Sequence, residues 1–347
     1  MDGPPTKPPR RQRRPPARGA KAGGVRPAPR LLAPPQPGRY PIVTEAGRLL
    51  GDAVREALGA LQSRVSVGVL GRAAAGKSLL AAQLVGQAEQ RGAAGIAAWV
   101  GGGGAVVVDS PPVLATAGCD VRWAPRHAPR RAAGRIRDLQ IALLLLLICD
   151  PLVVLVAPGP GVDAELARLV AAAAALARGV PGFAPPRAPG SGPAARGCRL
   201  HIVARSPGPD RAALARAYEA ATNVAVAGVS AVPRRAEPPD AGARPPFLAI
   251  AAAWDSDRPL YPLRALKAAA ARAVVPAAVL GPARPPAPDF DQCVHALRAE
   301  LLAPRPAPRV DWAAACVRAW DSIRRSDQLL RVACAPGPWP PEATVPG

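Results

Sequence analysis

Aromatic side chains are scarce in this chain: Phe, Trp and Tyr make up 3% of its 347 residues. A core of ordinary size must therefore come from Ala, Val and Leu, and few rings are available to stack nucleic-acid bases. Lysine is rarer, confined to Lys7, Lys21, Lys77 and Lys267. The six cysteines form no C-x-x-C pair and no Cys/His spacing suited to zinc. Scattered single thiols fit a reducing compartment, and Cys149 and Cys316 read as small buried hydrophobes. The basic, Pro-rich opening stretch lacks an apolar h-region, so no secretory signal peptide is expected. The most hydrophobic run, Leu139 to Ala157, is interrupted by Asp150-Pro151, and each piece is too short to cross ~30 Å of hydrocarbon as a helix. It reads as a buried helix ending near Cys149 and then a buried strand. The expected location is the cytoplasm, with the nucleus as a second compartment and no membrane partner.

The net charge of +21 is carried almost wholly by arginine in a chain dominated by Ala, Pro, Gly and Arg. That balance also follows from a gene rich in G and C, so direct RNA binding is not expected. Against this background one lysine stands out. Val65 to Leu70 reads as a buried strand and runs into Gly71-Arg72-Ala73-Ala74-Ala75-Gly76-Lys77-Ser78, which fits G-x-x-x-x-G-K-[ST]. A chain of this composition would match that pattern by chance roughly 0.0015 times. Leu79 to Val85 reads as the helix that follows.

Each residue type in the octet has a physical reason. Gly71 and Gly76 permit backbone angles and close approaches that a Cβ would block. Successive backbone N–H groups, from Ala74 and Ala75 through Leu79, would meet an anion at the positive end of a helix. Lys77 would reach the β/γ-phosphates, and the Ser78 hydroxyl would hold Mg²⁺. Downstream, Ala105-Val106-Val107-Val108-Asp109 is a run of four small apolar residues ending in a carboxylate, so Asp109 is the second expected Mg²⁺ residue. The expected cofactor is a purine nucleotide (GDP/GTP or ATP) with Mg²⁺. The plain alternative is a β–α turn that binds nothing.

Along the chain, 1–39 reads as a disordered basic tail, where Arg10–Arg14 is a solvated run, with a nuclear-localising or RNA-contacting patch as the alternative. A helix is expected over Glu45–Leu61 and a strand over Gly95–Val100. A Gly101–Gly104 hairpin turn should follow. Helices are expected over Asp138–Cys149, Ala164–Ala177 and Asp210–Ala220, and strands over Leu152–Val156, Leu200–Ala204 and Phe247–Ile250. Leu263–Val275 reads as the last helix of a domain spanning 40–275, with loop insertions near 181–198 and 233–246. A linker over 276–288 leads to helices over Phe290–Leu302 and Val310–Val332, then a tail over 336–347. Trp312, Cys316, Trp320, Ile323 and Leu330 share one stripe that should pack on the domain or on a partner. His127 and His201 read as idle and as a sheet residue. Alternating strands and helices imply an α/β fold, a mostly parallel sheet with only the Ile96–Asp109 hairpin antiparallel.

Four separated motifs resemble a known family. They are Val67-Gly68-Val69-Leu70-Gly71 with Gly76-Lys77-Ser78, Val107-Val108-Asp109-Ser110-Pro111-Pro112-Val113-Leu114, Leu139-Gln140-Ile141-Ala142, and Trp312 with Ala319-Trp320-Asp321-Ser322-Ile323-Arg324-Arg325-Ser326. In this order they resemble the family of the ninth SMG protein, the G-fold subunit of the nonsense-mediated mRNA decay kinase complex. The resemblance implies a P-loop, G-domain-like fold that pairs with a second G-fold subunit, the eighth SMG protein. The pair would restrain a phosphatidylinositol-3-kinase-related protein kinase.

Read residue by residue, the hydrolytic parts are missing. Asp109 is followed by Ser110-Pro111-Pro112, where a small GTPase has x-x-Gly and Pro112 has no N–H. Arg91-Gly92-Ala93-Ala94 offers no Thr to Mg²⁺. Ala204-Arg205-Ser206-Pro207 replaces Asn-Lys-x-Asp, so base selection has no visible source. The expectation is a nucleotide-binding, non-hydrolysing regulatory module with no catalytic residues. The alternative is an active GTPase or ATPase completed by a partner in trans.

Overall fold

The computed structural model describes residues 36–59, 62–63, 65–88, 95–115, 121–125, 128–129, 132–156, 162–192, 196–205, 210–233, 290–303, 310–337 and 339–340. The expected strand Phe247–Ile250, the helix Leu263–Val275, the 276–288 linker and His127 lie outside these residues, as does most of the basic tail.

Among the described residues, seven strands form the main sheet: β1 (Gly38–Val43), β3 (Ser66–Gly71), β4 (Ile96–Val100), β5 (Val106–Asp109), β6 (Leu152–Val156), β7 (Leu200–Ala204) and β8 (Val226–Ala231). Their order is β1-β4-β5-β3-β6-β7-β8. From β5 to β8 every neighbouring pair is parallel, and β4 alone runs against its neighbours. Two short strands, β2 (Gln62–Ser63) and β9 (Val310–Asp311), pair apart from this sheet. The helices are α1 (Gly51–Leu58), α2 (Lys77–Leu84), α3 (Ala133–Ile148), α4 (Ala164–Ala177), α5 (Arg211–Thr222), α6 (Phe290–Leu301), α7 (Trp312–Arg324) and α8 (Asp327–Cys334). The architecture is thus α/β with a mostly parallel sheet, as the alternation of apolar runs implied. None of the helices among the described residues is long and apolar enough to cross a membrane.

The inner strands β3 to β7 are buried on both faces because both are covered. Val67, Val69, Val107, Val153 and Leu155 point to one side, where α2 and α6 pack. Leu70, Val106, Val108, Leu152 and Val154 point to the other, beneath α3 and α4. Gly68 lies on the α3 side, where a Cβ would meet Leu152 Cδ1 at 3.0 Å and Cys149 Sγ at 3.2 Å. A glycine inside a strand marks that close approach. Helix α3 is apolar nearly all round because the sheet, α4, α7 and α8 enclose it.

The stripe on α7 packs within the chain. Trp312, Cys316, Trp320 and Ile323 are buried in the α3-side core, and Trp320 meets Trp123 edge-on with centroids 5.7 Å apart. Two helices replace the single run expected over Val310–Val332. Ser326 separates them, its hydroxyl accepting from the Leu329 N–H at 3.2 Å as the cap of α8.

Several boundaries differ from the expectation. The helix expected over Glu45–Leu61 is only Gly51–Leu58, because the Thr44–Arg48 segment closes a turn around Gly47 (φ +68°). Residues expected in the tail, Gly38 and Arg39, begin β1, which joins β4 antiparallel, so the hairpin is not the sole antiparallel pairing. Pro41 obscured this strand; an edge position tolerates its missing N–H. Strand β8 was also unexpected. Its Gly228 reads as a breaker, yet a Cβ there would meet Glu300 Oε1 at 2.7 Å and His201 Cε1 at 2.9 Å. At the C-terminal end, Arg135 donates to Ala335 O and Gly337 O and lies over the Trp339 ring, so this part of the expected tail is held on α3.

Candidate functional site

The octet Gly71–Ser78 joins the C-terminal end of central β3 to the start of α2, where α/β proteins gather ligands. Gly76 caps α2 in the left-handed region (φ 78°, ψ 30°), and a Cβ there would meet Arg205 Nη2 at 2.7 Å. Gly71 has Leu155 O at 3.1 Å from its Cβ position. Ala74 is left-handed too (φ 54°) although it is not glycine, a conformation that costs about 1–2 kcal/mol. Strain of that kind gathers at ligand-binding turns.

Lys77 is 7% exposed, and its Nζ donates to Arg72 O across the turn at 2.7 Å. Burial pulls its pKa down to about 8. Asp109 opposes that shift and Arg137 adds to it. Arg72 points outward from the turn, gripping both oxygens of Asp163 at 2.7 and 2.8 Å and Glu165 at 2.5 Å. Asp163 is also the N-cap of α4, accepting from the Leu166 N–H at 3.1 Å. Its burial alone would raise its pKa, but Arg72 and that N–H bring it below the ordinary range. The turn is therefore fastened to α4 as well as to α2. Ala75 is buried, while Leu79 packs its side chain on the α2-side core.

Asp109 ends β5 opposite Val69 and is 3% exposed. Burial raises its pKa, while the nearby Ser78 hydroxyl and Lys77 ammonium lower it. Its Oδ1, the neighbouring Ser110 Oγ and the Trp99 indole N–H have no hydrogen-bond partner among the described residues. Trp99 stands near enough to Asp109 to affect its charge but does not reach it with bonding geometry. A buried carboxylate oxygen without a partner is costly, and a hard cation is what such an oxygen fits. Ser78 and Asp109 are thus the residues that would hold Mg²⁺, and the ion would neutralise phosphate charge there. Elsewhere among the described residues, no group of three His, Cys, Asp or Glu side chains converges as a metal site.

After Asp109 the chain is strapped down. Pro111 and Pro112 carry no N–H, the Val113 N–H goes to Gly71 O at 3.2 Å, and the Leu114 N–H goes to Asp138 Oδ2 at 3.0 Å. Four consecutive positions therefore present no free N–H to a terminal phosphate. Asp138 is pushed up to about 6 by burial, with the Leu114 N–H and Arg137 pulling the other way. Its charged form therefore costs the folded state stability at pH 7. That cost disappears as pH falls from about 6 toward the ordinary aspartate range. Asp138→Asn keeps an acceptor for Leu114 and should raise stability by about 1–3 kcal/mol at pH 7. The gain should vanish near pH 4, as read by urea unfolding at the two pH values.

Sequence reasoning named Gly71, Ala74, Ala75, Gly76, Lys77, Ser78, Leu79 and Asp109, and the structure brings all of them to one end of the central strands. It missed Arg72, Asp138 and Arg205. Arg205 reads as one arginine among many, and only its place just after β7, beside the loop, marks it. His201 is a buried sheet residue as expected, 3.0 Å from Ser230 Oγ. No protein-family model matches the chain, and comparison with curated proteins finds no match. Geometry and motif order alone therefore bear on function.

Proposed function

We propose that this chain is a G-domain-like phosphate-loop protein that holds a purine nucleotide with Mg²⁺ and works as a non-hydrolysing regulatory subunit. The observation that carries this reading is the buried, unpartnered Asp109 carboxylate oxygen beside Lys77 and Ser78. A buried carboxylate oxygen without a partner costs the fold stability, and a bound cation beside Ser78 would offset that cost. The reversed β4 beside β5, and the loop on central β3, agree with a G-domain-like arrangement. The strap after Asp109 argues against a γ-phosphate sensor, because its N–H groups are absent or spent.

The biological setting rests on the order of the four motifs. In this reading the subunit acts in nonsense-mediated mRNA decay, pairs with a second G-fold subunit and restrains a phosphatidylinositol-3-kinase-related kinase. The α7 tryptophans are spent within the chain, so the contact would use other surfaces.

Mass spectrometry of small molecules released from purified protein tests the reading. Wild type should release a purine nucleotide and Lys77→Ala should release none. Partner-free multiple turnover of GTP or ATP, abolished by Lys77→Ala, would overturn it.

A further inference from the structure

Arg205 follows β7 and is 5% exposed. Its guanidinium donates to four carbonyls: Nε and Nη2 to Ala75 O at 3.1 and 3.0 Å, Nη2 to Gly76 O at 3.3 Å, and Nη1 to Val232 O at 3.4 Å and Pro233 O at 3.3 Å. One side chain thus joins the phosphate loop, the end of β7 and the segment just past β8.

The planarity of the peptide bond gives this contact a consequence. In a trans peptide the C=O of one residue and the N–H of the next point in opposite directions. With Ala75 O held by Arg205, and Gly76 O shared between Arg205 and the Leu80 N–H at 3.0 Å, the Gly76 and Lys77 N–H groups are turned the other way, into the turn. Those are donors an anion would use, and Lys77 N1 geometry leaves its N–H without an intrahelical partner. The cation behind the two peptide planes also polarises them in the direction that strengthens donation. A Cβ on Gly76 would collide with Nη2, so glycine at that position serves the arginine as well as the left-handed turn.

We infer that Arg205 is the positioning residue of the anion site, holding the Gly76 and Lys77 N–H groups inward for a polyphosphate. This rests on the phosphate-binding reading above. Arg205 touches no phosphate; it acts through the two carbonyls. A lysine could satisfy one carbonyl as a point donor but not the planar fork across several.

The test uses the full chain with inorganic pyrophosphate and Mg²⁺ as the probe, comparing wild type with Arg205→Met and Arg205→Lys. Calorimetry should show at least a tenfold weaker affinity for Arg205→Met and a smaller loss for Arg205→Lys. The ¹⁵N–¹H resonances of Gly76 and Lys77 in the ligand-free protein should shift and broaden in Arg205→Met, while those in the middle of α2 stay put. Unchanged affinity and unchanged Gly76 and Lys77 amides in folded Arg205→Met would overturn the inference. If Arg205→Met fails to fold, the same two readouts on Arg205→Lys decide: wild-type values refute, displaced values support. Failure of the wild type to bind pyrophosphate would sink the phosphate-binding reading instead, and the amide resonances would still judge Arg205.

Discussion

Lys77→Met should lose nucleotide binding by two orders of magnitude or more, yet the ligand-free variant should unfold at higher denaturant than wild type. Both effects have one cause. The ammonium is 7% exposed, with its Nζ held by Arg72 O, and burial pulls its pKa down to about 8. A shift of that size corresponds to about 3 kcal/mol against the charged form in the folded state. Below pH 8 the lysine is charged whether folded or unfolded, and the folded state carries the whole cost. Between about 8 and the ordinary lysine range the folded group sheds its proton first, so the cost fades with rising pH. Methionine keeps most of the stem and removes the charge. Asp109 then loses its neighbouring cation, so the net gain should be smaller, about 1–2 kcal/mol. The same logic predicts wild-type affinity for GDP to weaken above pH 8, approaching tenfold per unit, because binding must then restore the proton. Chemical denaturation and calorimetry at pH 7 and 9 check both statements. A less stable ligand-free Lys77→Met would contradict the assigned burial cost.

Trp320→Ala should destabilise the isolated chain by about 3–5 kcal/mol. Trp320 is 3% exposed and meets Trp123 at 5.7 Å, while Arg324 Nη1 donates to Trp123 O at 2.8 Å and Trp123 Nε1 to Glu45 O at 2.6 Å. Removing the indole opens a cavity where α7, α3 and the Glu45 turn converge. A domain is stable by only about 5–15 kcal/mol, so much of the variant should unfold well below the wild-type midpoint. Thermal unfolding of the chain without any partner is the measurement. A midpoint within a degree of wild type would mean that this stripe belongs to an interface instead.

Much of this molecule was legible before its structure. Strands Ile96–Val100, Leu152–Val156 and Leu200–Ala204, and helix Ala164–Ala177, stand where apolar runs and small-residue periodicity put them. Long buried segments speak plainly because both sheet faces are covered. What the sequence hid were the edges and the polar ties. Pro41 and Gly228 suggest broken strands until their neighbours are seen: an open edge for one, His201 and Glu300 for the other. The turn over Gly71–Ser78 was readable from spacing alone, since each position has a backbone reason. Its supports were not. Arg72, Asp138 and Arg205 act through contacts 91, 24 and 130 residues away in sequence, and no local pattern encodes a distance of that kind.

The two prolines after Asp109 carry a last consequence. With Val113 and Leu114 already moored to Gly71 and Asp138, the mouth of the cradle is stiff before any guest arrives. A nucleotide seated there, in the reading proposed above, would act as a rivet and not as a clock. Its presence could be felt by neighbouring subunits, while the number of its phosphates would pass unnoticed.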